Sequence, residues 1–206
     1  YKMNKLSVVP FHQRKRQLNK RHNKESLIIS ARQVFAQKGF ENASVREIVM
    51  NAKLGSGTFY NYFDDKFDIF LIINGRLVNE FSDYFLKEIE KVKNFNELVR
   101  TAFNCWFSWI LNEEENYQFI KNNKKYVLDL KWLSQNSKEY RVFNKKLFEI
   151  VIQMSKTIKF PQNDISFMVT SIIAVCINLG DEMLERDDVE LNDASKFAAK
   201  LFLEGL

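Results

Sequence analysis

Glycine and proline are scarce in this chain, and their spacing constrains the fold more than any other feature. Its 206 residues include 6 Gly and 2 Pro, and no glycine lies between Gly75 and Gly180. An all-β sandwich or barrel needs frequent tight turns, which draw on these residues. The chain is therefore expected to be mostly helical. With 46% hydrophobic and 28% charged residues it has a core to bury, which excludes disordered, collagen-like and repeat compositions.

The side chains that carry common chemistries are nearly absent. His12 and His22, the two histidines, lie near the N-terminus. The body thus lacks imidazole for a Ser-His-Asp triad, a Cys-His pair or a common zinc site. Cys105 and Cys176 stand far apart without CxxC spacing, which suggests neither a disulfide framework nor a metal knuckle and fits a reducing cytosol. No acid/base pair or phosphate loop is visible. No enzymatic activity, metal or cofactor is expected. No apolar run approaches the roughly 18 residues of a spanning helix, and Leu6 to Phe11 is too short for a signal-peptide core. A soluble cytoplasmic protein without membrane attachment is the expectation.

The formal charge of +5 conceals an asymmetry. Residues 1–76 carry 14 of the 31 Lys and Arg but 6 of the 26 Asp and Glu, so the remainder is mildly acidic with 17 against 20. The first 24 residues hold Lys2, Lys5, Arg14, Lys15, Arg16, Lys20, Arg21 and Lys24 and no acid. Such a run seeks a polyanion, lies on an anionic membrane surface, or is a solvated tail.

Apolar periodicity predicts a first helix over 25–38, with Leu27, Ile28, Ala31, Val34 and Phe35 on its inner stripe and Gly39 at its end. Ser44 followed by Glu47 is a capping-box pattern for a short helix over 45–52. A tight turn, Lys53-Leu54-Gly55-Ser56, leads to a third helix of at most two turns within 57–63, where Phe59 and Phe63 share the inner face. Asp64 or Asp65 caps a long fourth helix whose stripe runs from Phe67 to Val92. Further helices are expected near 95–111, 116–134, 138–159, 164–184 and 192–204.

Two short helices joined by a four-residue turn, after a longer helix in the basic part of the chain, describe a helix-turn-helix. Ser56, Thr58, Tyr60, Asn61 and Tyr62 would form the reading surface, with hydroxyls, an amide and aromatic edges suited to phosphates and bases. By pattern alone, a solvated helical hairpin with surface tyrosines remains an alternative.

Ala31, Phe35, Gly39-Phe40, Ala43-Ser44-Val45, Ile48, Ala52, the run Gly57-Thr58-Phe59-Tyr60-Asn61-Tyr62-Phe63, and Lys66 together resemble the DNA-binding region of the TetR family of bacterial transcriptional regulators. The likeness covers about residues 25–70. It implies an all-α homodimer with an N-terminal three-helix helix-turn-helix DNA-binding domain and a larger helical ligand-binding and dimerisation domain. It divides the chain into a basic leader (1–24), the DNA-binding domain (25–70) and an effector-binding and dimerisation domain (71–206).

Carried over residue by residue, the resemblance puts Ser44 and Arg46 at the start of helix two, with Arg46 able to fork onto guanine. It makes Thr58, Tyr60 and Lys66 phosphate ligands, Lys66 at a helix N-terminus that already favours an anion. Ser56, Gly57 and Tyr62 would lie against bases or sugar; Asn61 is not carried over. Two departures bear on the turn. Lys53 stands where the family usually has glycine, and a left-handed non-glycine costs about 1–2 kcal/mol unless Gly55 shifts the turn. Gly55 replaces the usual serine, so Ser56 is expected to cap helix three. The leader either enters the minor groove as an arm, extends helix one along the backbone, or stays a mobile tail.

Residues 95–160 are rich in aromatics, which form a core stripe or, as the resemblance implies, partly line a cavity for an effector, with an apolar or aromatic one favoured. The polar candidates Asn104, Cys105, Lys125, Asp129, Arg141 and Asn178 form no constellation, and no effector-binding residue is assigned. Ile165 to Leu184 is apolar on nearly every side and needs covering twice. With the final helix it would form the homodimer interface. The expected function is a sequence-specific DNA-binding transcriptional regulator acting on the bacterial nucleoid, a repressor released from a two-half-site double-stranded operator by a small-molecule effector. The alternative is a TetR-like DNA-binding protein with an architectural or cell-division role, controlled by a protein partner.

Overall fold

Ten α-helices account for nearly all the described residues of the computed structural model, which are 11–111, 114–155, 164–186 and 191–204; no strand occurs among them. The first helix, α1, runs Phe11–Asn42 and so begins well before the expected residue 25. Every residue from His12 to His22 is exposed, so this part of the helix has no buried face for apolar periodicity to mark. Arg14, Lys15, Arg16, Lys20, Arg21 and Lys24 therefore prolong α1 as an exposed basic helix; Lys2 and Lys5 lie outside the described residues.

Near its other end α1 kinks at Gly39, whose φ of 74° and ψ of 160° suit glycine almost alone. A Cβ there would also lie 2.7 Å from the Asn122 carbonyl oxygen. The helices α2 (Val45–Asn51) and α3 (Ser56–Phe59) complete the N-terminal unit. The long α4 (Lys66–Ile89) leaves it, capped by Asp65 Oδ1, which accepts from the Phe67 and Asp68 N–H groups at 2.7 and 3.0 Å.

Then follow α5 (Phe95–Leu111), α6 (Glu114–Val127), α7 (Leu130–Asn136), α8 (Lys138–Ser155), α9 (Ile165–Glu185) and α10 (Leu191–Leu203). The single helix expected over 116–134 is two. Asp129 turns extended and accepts from the Lys131 and Trp132 N–H groups, both at 2.9 Å, starting α7 afresh. The last turn expected for α8, up to residue 159, lies outside the described residues.

The units divided at residue 70 share one core. A single buried cluster runs from Leu27 and Phe35 through Ile48, Phe59 and Phe70 to Phe119, Val127 and Leu184. Phe70 is central to it, with ring centroids 5.5 Å from Phe35 and 4.8 Å from Phe40 on one side, and 5.9 Å from Phe119 and 5.5 Å from Tyr126 on the other. Polar contacts reinforce the junction of α1 with α6. Asn122 Nδ2 donates to the Ala36 carbonyl, and Asn123 Oδ1 accepts from the Phe40 N–H, meeting two groups that a straight helix would pair with each other. Arg32 of α1 adds an ion pair to Glu115 at 3.1 Å.

Contrary to the expectation from the sequence, α9 is long and apolar enough to cross a membrane by length and composition. Its face of Ile165, Val169, Ile172, Cys176, Gly180 and Met183 is buried in the protein, while Ser166, Thr170, Ser171 and Asn178 interrupt its exposed side.

Candidate nucleic-acid interface and internal cavity

Ser44 starts α2 through the expected capping box. Its hydroxyl accepts from the Glu47 N–H and donates to Glu47 Oε2 at 2.8 Å, while the Ser44 N–H donates to the same oxygen at 3.0 Å. The Lys38 ammonium, which pairs with Glu47, holds its carboxyl at about 2, helped by the Ser44 hydroxyl and N–H. The Ser44 hydroxyl is therefore engaged within the chain. Arg46, two residues on, is exposed and forms no ion pair or hydrogen bond with a described residue.

The turn between α2 and α3 does not shift to Gly55. Lys53 itself takes the left-handed conformation at φ 55°, and Gly55 is extended at φ −72°. The Lys53 N–H reaches the Met50 carbonyl at 3.1 Å and the Leu54 N–H the Val49 carbonyl at 3.0 Å, the two bonds of a Schellman cap. Leu54 packs on the core just after it. These bonds satisfy carbonyls that α2 would otherwise leave open and offset the cost at Lys53.

Ser56 is not the cap of α3, as the sequence suggested. Gly55 holds that place without a side-chain bond and Ser56 is the first helical residue, exposed. The helix is one turn, within the expected limit of two, and is continued by turn bonds from Asn61 to Thr58 and from Tyr62 and Phe63 to Phe59. Phe59 and Phe63 are buried beneath it. Above them stand Ser56, Gly57, Tyr60 and Asn61, all exposed, with Tyr60 62% open and nothing within 4 Å of where a Cβ on Gly57 would sit. Thr58 and Tyr62 are half-buried. Lys24 of the basic helix lies over the Phe63 ring at 5.6 Å, which brings the leader beside this surface.

Lys66, expected as a phosphate ligand, has its ammonium engaged within the chain. Its ammonium donates to the carbonyls of Phe40, Glu41 and Ala43 at 2.7, 3.1 and 3.0 Å and sits 4.6 Å from the Phe40 ring centre. All three of its donors are satisfied by the end of α1 and the link to α2. The helix N-terminus meant to receive the phosphate already holds the Asp65 carboxylate. A sequence signal existed: a lysine in the first turn opposes the helix dipole and calls for a tertiary partner.

In the C-terminal unit a cavity of about 110 Å³ lies among α4, α5, α8 and α9, with side chains from α6 and α7. Phe81, Phe85, Trp106, Trp109, Phe143 and Tyr140 supply its aromatic walls and Leu77, Val151, Val169 and Ile172 its aliphatic ones. None of the six polar candidates from the sequence lines it. Asp129 caps α7, Arg141 binds the Ser134 carbonyl, Lys125 pairs with Glu41, and Asn178 bonds back to Ala174. Cys105 is buried, and burial pushes its thiol up to about 11. Besides the Trp106 and Trp109 indoles and the Cys176 thiol, the polar side chains on the wall are instead Asn74 and Tyr140. Asn74 was legible as a polar residue at an inner position of the α4 stripe, between Phe70 and Leu77.

Residues 27–73 match the family described as bacterial regulatory proteins, tetR family. An uncharacterized HTH-type transcriptional regulator of Bacillus subtilis, YuxN, is 37% identical over 81 residues, covering 39% of this chain and 26% of that protein. The chain spans between a quarter and under a half of the length of the curated relatives it matches. Over most of the fold it resembles solved structures. The fatty acid degradation regulator FadR from Bacillus halodurans superposes with a TM-score of 0.74 at 20% identity, over 89% of this chain and 96% of the other. FadR from Bacillus subtilis in complex with stearoyl-CoA gives 0.74 at 18%, over 89% and 99%.

Proposed function

We propose, for a chain that belongs through residues 27–73 to the tetR family of bacterial regulatory proteins, that it is a sequence-specific transcriptional regulator which binds operator DNA as a homodimer and is released by an effector held in its C-terminal unit. One observation carries the DNA-binding part. A one-turn helix presents Ser56, Gly57 and Tyr60 to solvent from a rigid seat on Phe59 and Phe63, beside an exposed basic helix. Arg46 then reads a base edge from the major groove, Thr58 and Tyr60 meet phosphates, and Ser56, Gly57 and Tyr62 lie against bases or sugar. Ser44 and Lys66 serve by shaping the unit, Ser44 through its cap and Lys66 through the end of α1. The leader works as an extension of α1 along the phosphates.

The effector part is supported by the apolar cavity and by the fold it shares with a FadR crystallised with stearoyl-CoA. An apolar portion such as an acyl chain suits walls of this kind. A cavity of this kind counts against the rival reading, in which a protein partner controls an architectural DNA-binding protein. The dimer is supported by Phe167 of α9 and Phe197 of α10, which are 74% and 51% exposed. Large apolar side chains at such exposure are expected to meet a two-fold mate. A regulatory, non-catalytic role on DNA in the bacterial cytoplasm follows from the same reading.

Sequencing the genomic fragments retained by the purified protein tests the function. The expected result is an enriched motif of two related half-sites; retention of all fragments alike would overturn it. Sedimentation of Phe197→Glu tests the dimer, because a charge beside its own symmetry mate acts twice. Monomers with native helical content are expected, and an unchanged dimer would put the interface elsewhere.

A further inference from the structure

We infer that the cavity recognises an uncharged, mainly apolar chain that carries one neutral hydrogen-bonding group, and that Asn74 is the residue which receives that group. The inference depends on the effector reading of this cavity given above. Asn74 lies on the inner stripe of α4, one turn after Phe70 and just before Leu77, at a place where every neighbour on that face is apolar. It is 1% exposed, and neither its amide nitrogen nor its amide oxygen has a hydrogen-bond partner among the described residues. Buried side-chain amides with both ends unpaired are uncommon and call for a cause.

The surroundings define what would satisfy it. The Trp106 indole N–H is already committed to the Cys176 carbonyl at 2.8 Å. The Tyr140 hydroxyl, on the same wall, forms no hydrogen bond with a described residue. Besides these and Asn74 itself, the wall carries only the Trp109 indole N–H and the Cys176 thiol as polar side-chain groups, set amid apolar side chains. No Lys, Arg, Asp or Glu lines the cavity, so a carboxylate or ammonium inside would be stranded without a counter-charge. An amide offers two donors and an acceptor, which suits a hydroxyl, a ketone or a thioester carbonyl. Any charged part of the ligand stays outside.

The position gives the contact a consequence. Phe70, one turn earlier, belongs to the core shared with the DNA-binding unit. Gly75, the next residue, lies so close to Glu139 of α8 that a Cβ would come within 2.9 Å of its carboxyl carbon. A ligand group bonded to Asn74 therefore acts on the part of α4 that joins the cavity to α1.

The test uses the full chain and its own tryptophans, since Trp106 and Trp109 line the cavity. Fluorescence titrations with octan-1-ol, octanoate and octane are run on the native protein, Asn74→Leu and Asn74→Ser. The native protein is expected to bind the alcohol more tightly than octanoate. Asn74→Leu should weaken the alcohol by about fivefold, one hydrogen bond's worth, while octane binds as well or better; Asn74→Ser should retain part of the alcohol's affinity. Asn74→Leu should also melt at a higher temperature without ligand, because it removes an unpaired buried amide. Equal alcohol binding by native and Leu proteins would overturn the role of Asn74. No fluorescence response to any probe, from a protein that still retains DNA, would overturn the site and leave the DNA-binding reading intact. Asn74-dependent alcohol binding without any effect on DNA retention would uphold the site and remove the effector reading.

Discussion

Replacing Asn123 with leucine removes the side chain that most directly joins α6 to α1. Asn123 is 2% exposed and makes three hydrogen bonds: Nδ2 to the Phe35 carbonyl at 2.9 Å and to the Phe119 carbonyl at 2.8 Å, and Oδ1 from the Phe40 N–H at 2.7 Å. The Phe119 bond runs back within α6 and matters least. The other two meet backbone groups beside the Gly39 kink. Leaving a buried backbone group unpaired costs about 1–3 kcal/mol. Phe35 is fully buried and belongs in the upper half of that range, while Phe40 is half-buried and belongs in the lower half. The leucine returns some of the loss by burying more apolar surface, about 1 kcal/mol for the added carbon area. A net destabilisation of about 2 kcal/mol follows, out of the roughly 5–15 kcal/mol typical of a folded domain. Urea unfolding followed by circular dichroism measures it, with Asn122→Ala as a companion that loses only the bond to the Ala36 carbonyl. If Asn123→Leu shifts stability by less than about 0.5 kcal/mol, these bonds do not hold the units together.

Lys66→Met keeps the side chain's stem but loses its bonds to three carbonyls, so unfolding should shift by about 2 kcal/mol while the salt slope of DNA binding stays constant; a slope shallower by about one counterion would return Lys66 to direct phosphate contact. Tyr60→Phe should weaken binding to all sequences alike, and Arg46→Ala should relax one base pair per half-site by about 1–3 kcal/mol. A panel of single-base operator variants read against both proteins separates these outcomes. The Glu47 carboxyl lies below its ordinary 4.5, at about 2. Its contribution to the start of α2 is therefore complete above 4.5 and is lost as pH falls from there toward about 2. An NMR titration checks this, and Lys38→Met should move the Glu47 midpoint upward; an unmoved midpoint would show that the Lys38 pairing is not its main cause.

What was legible in the sequence is what depends on neighbours along the chain. Phe95–Leu111 appears as expected because its apolar stripe and its bounding residues lie within the segment. The Ser44 and Glu47 cap formed because both partners sit within one turn. Phe59 and Phe63 are buried as their spacing requires. The start of α1 stays open in the sequence, with a helical leader as one alternative, because an exposed basic helix leaves no apolar period, although its residues are good helix formers. The left-handed Lys53 was open in the sequence, since two local remedies competed, and the bonds back to Val49 and Met50 decided between them.

Contacts across long stretches of chain were beyond reach of any local pattern. The Lys66 ammonium meets carbonyls more than twenty residues earlier, and Asn123 meets Phe35 and Phe40 from 88 and 83 residues away. The kink at Gly39 is what frees the Phe40 N–H for Asn123, and the end of α1 is what leaves carbonyls open to Lys66. Asn74 shows the same division. The sequence places a polar residue on an apolar stripe, but only packed helices decide whether it finds a partner, and here they leave it facing a cavity with neither end of its amide paired to a described residue. Helix faces are set by periodicity within a segment; the partners of buried polar groups are set by which segments the core brings together.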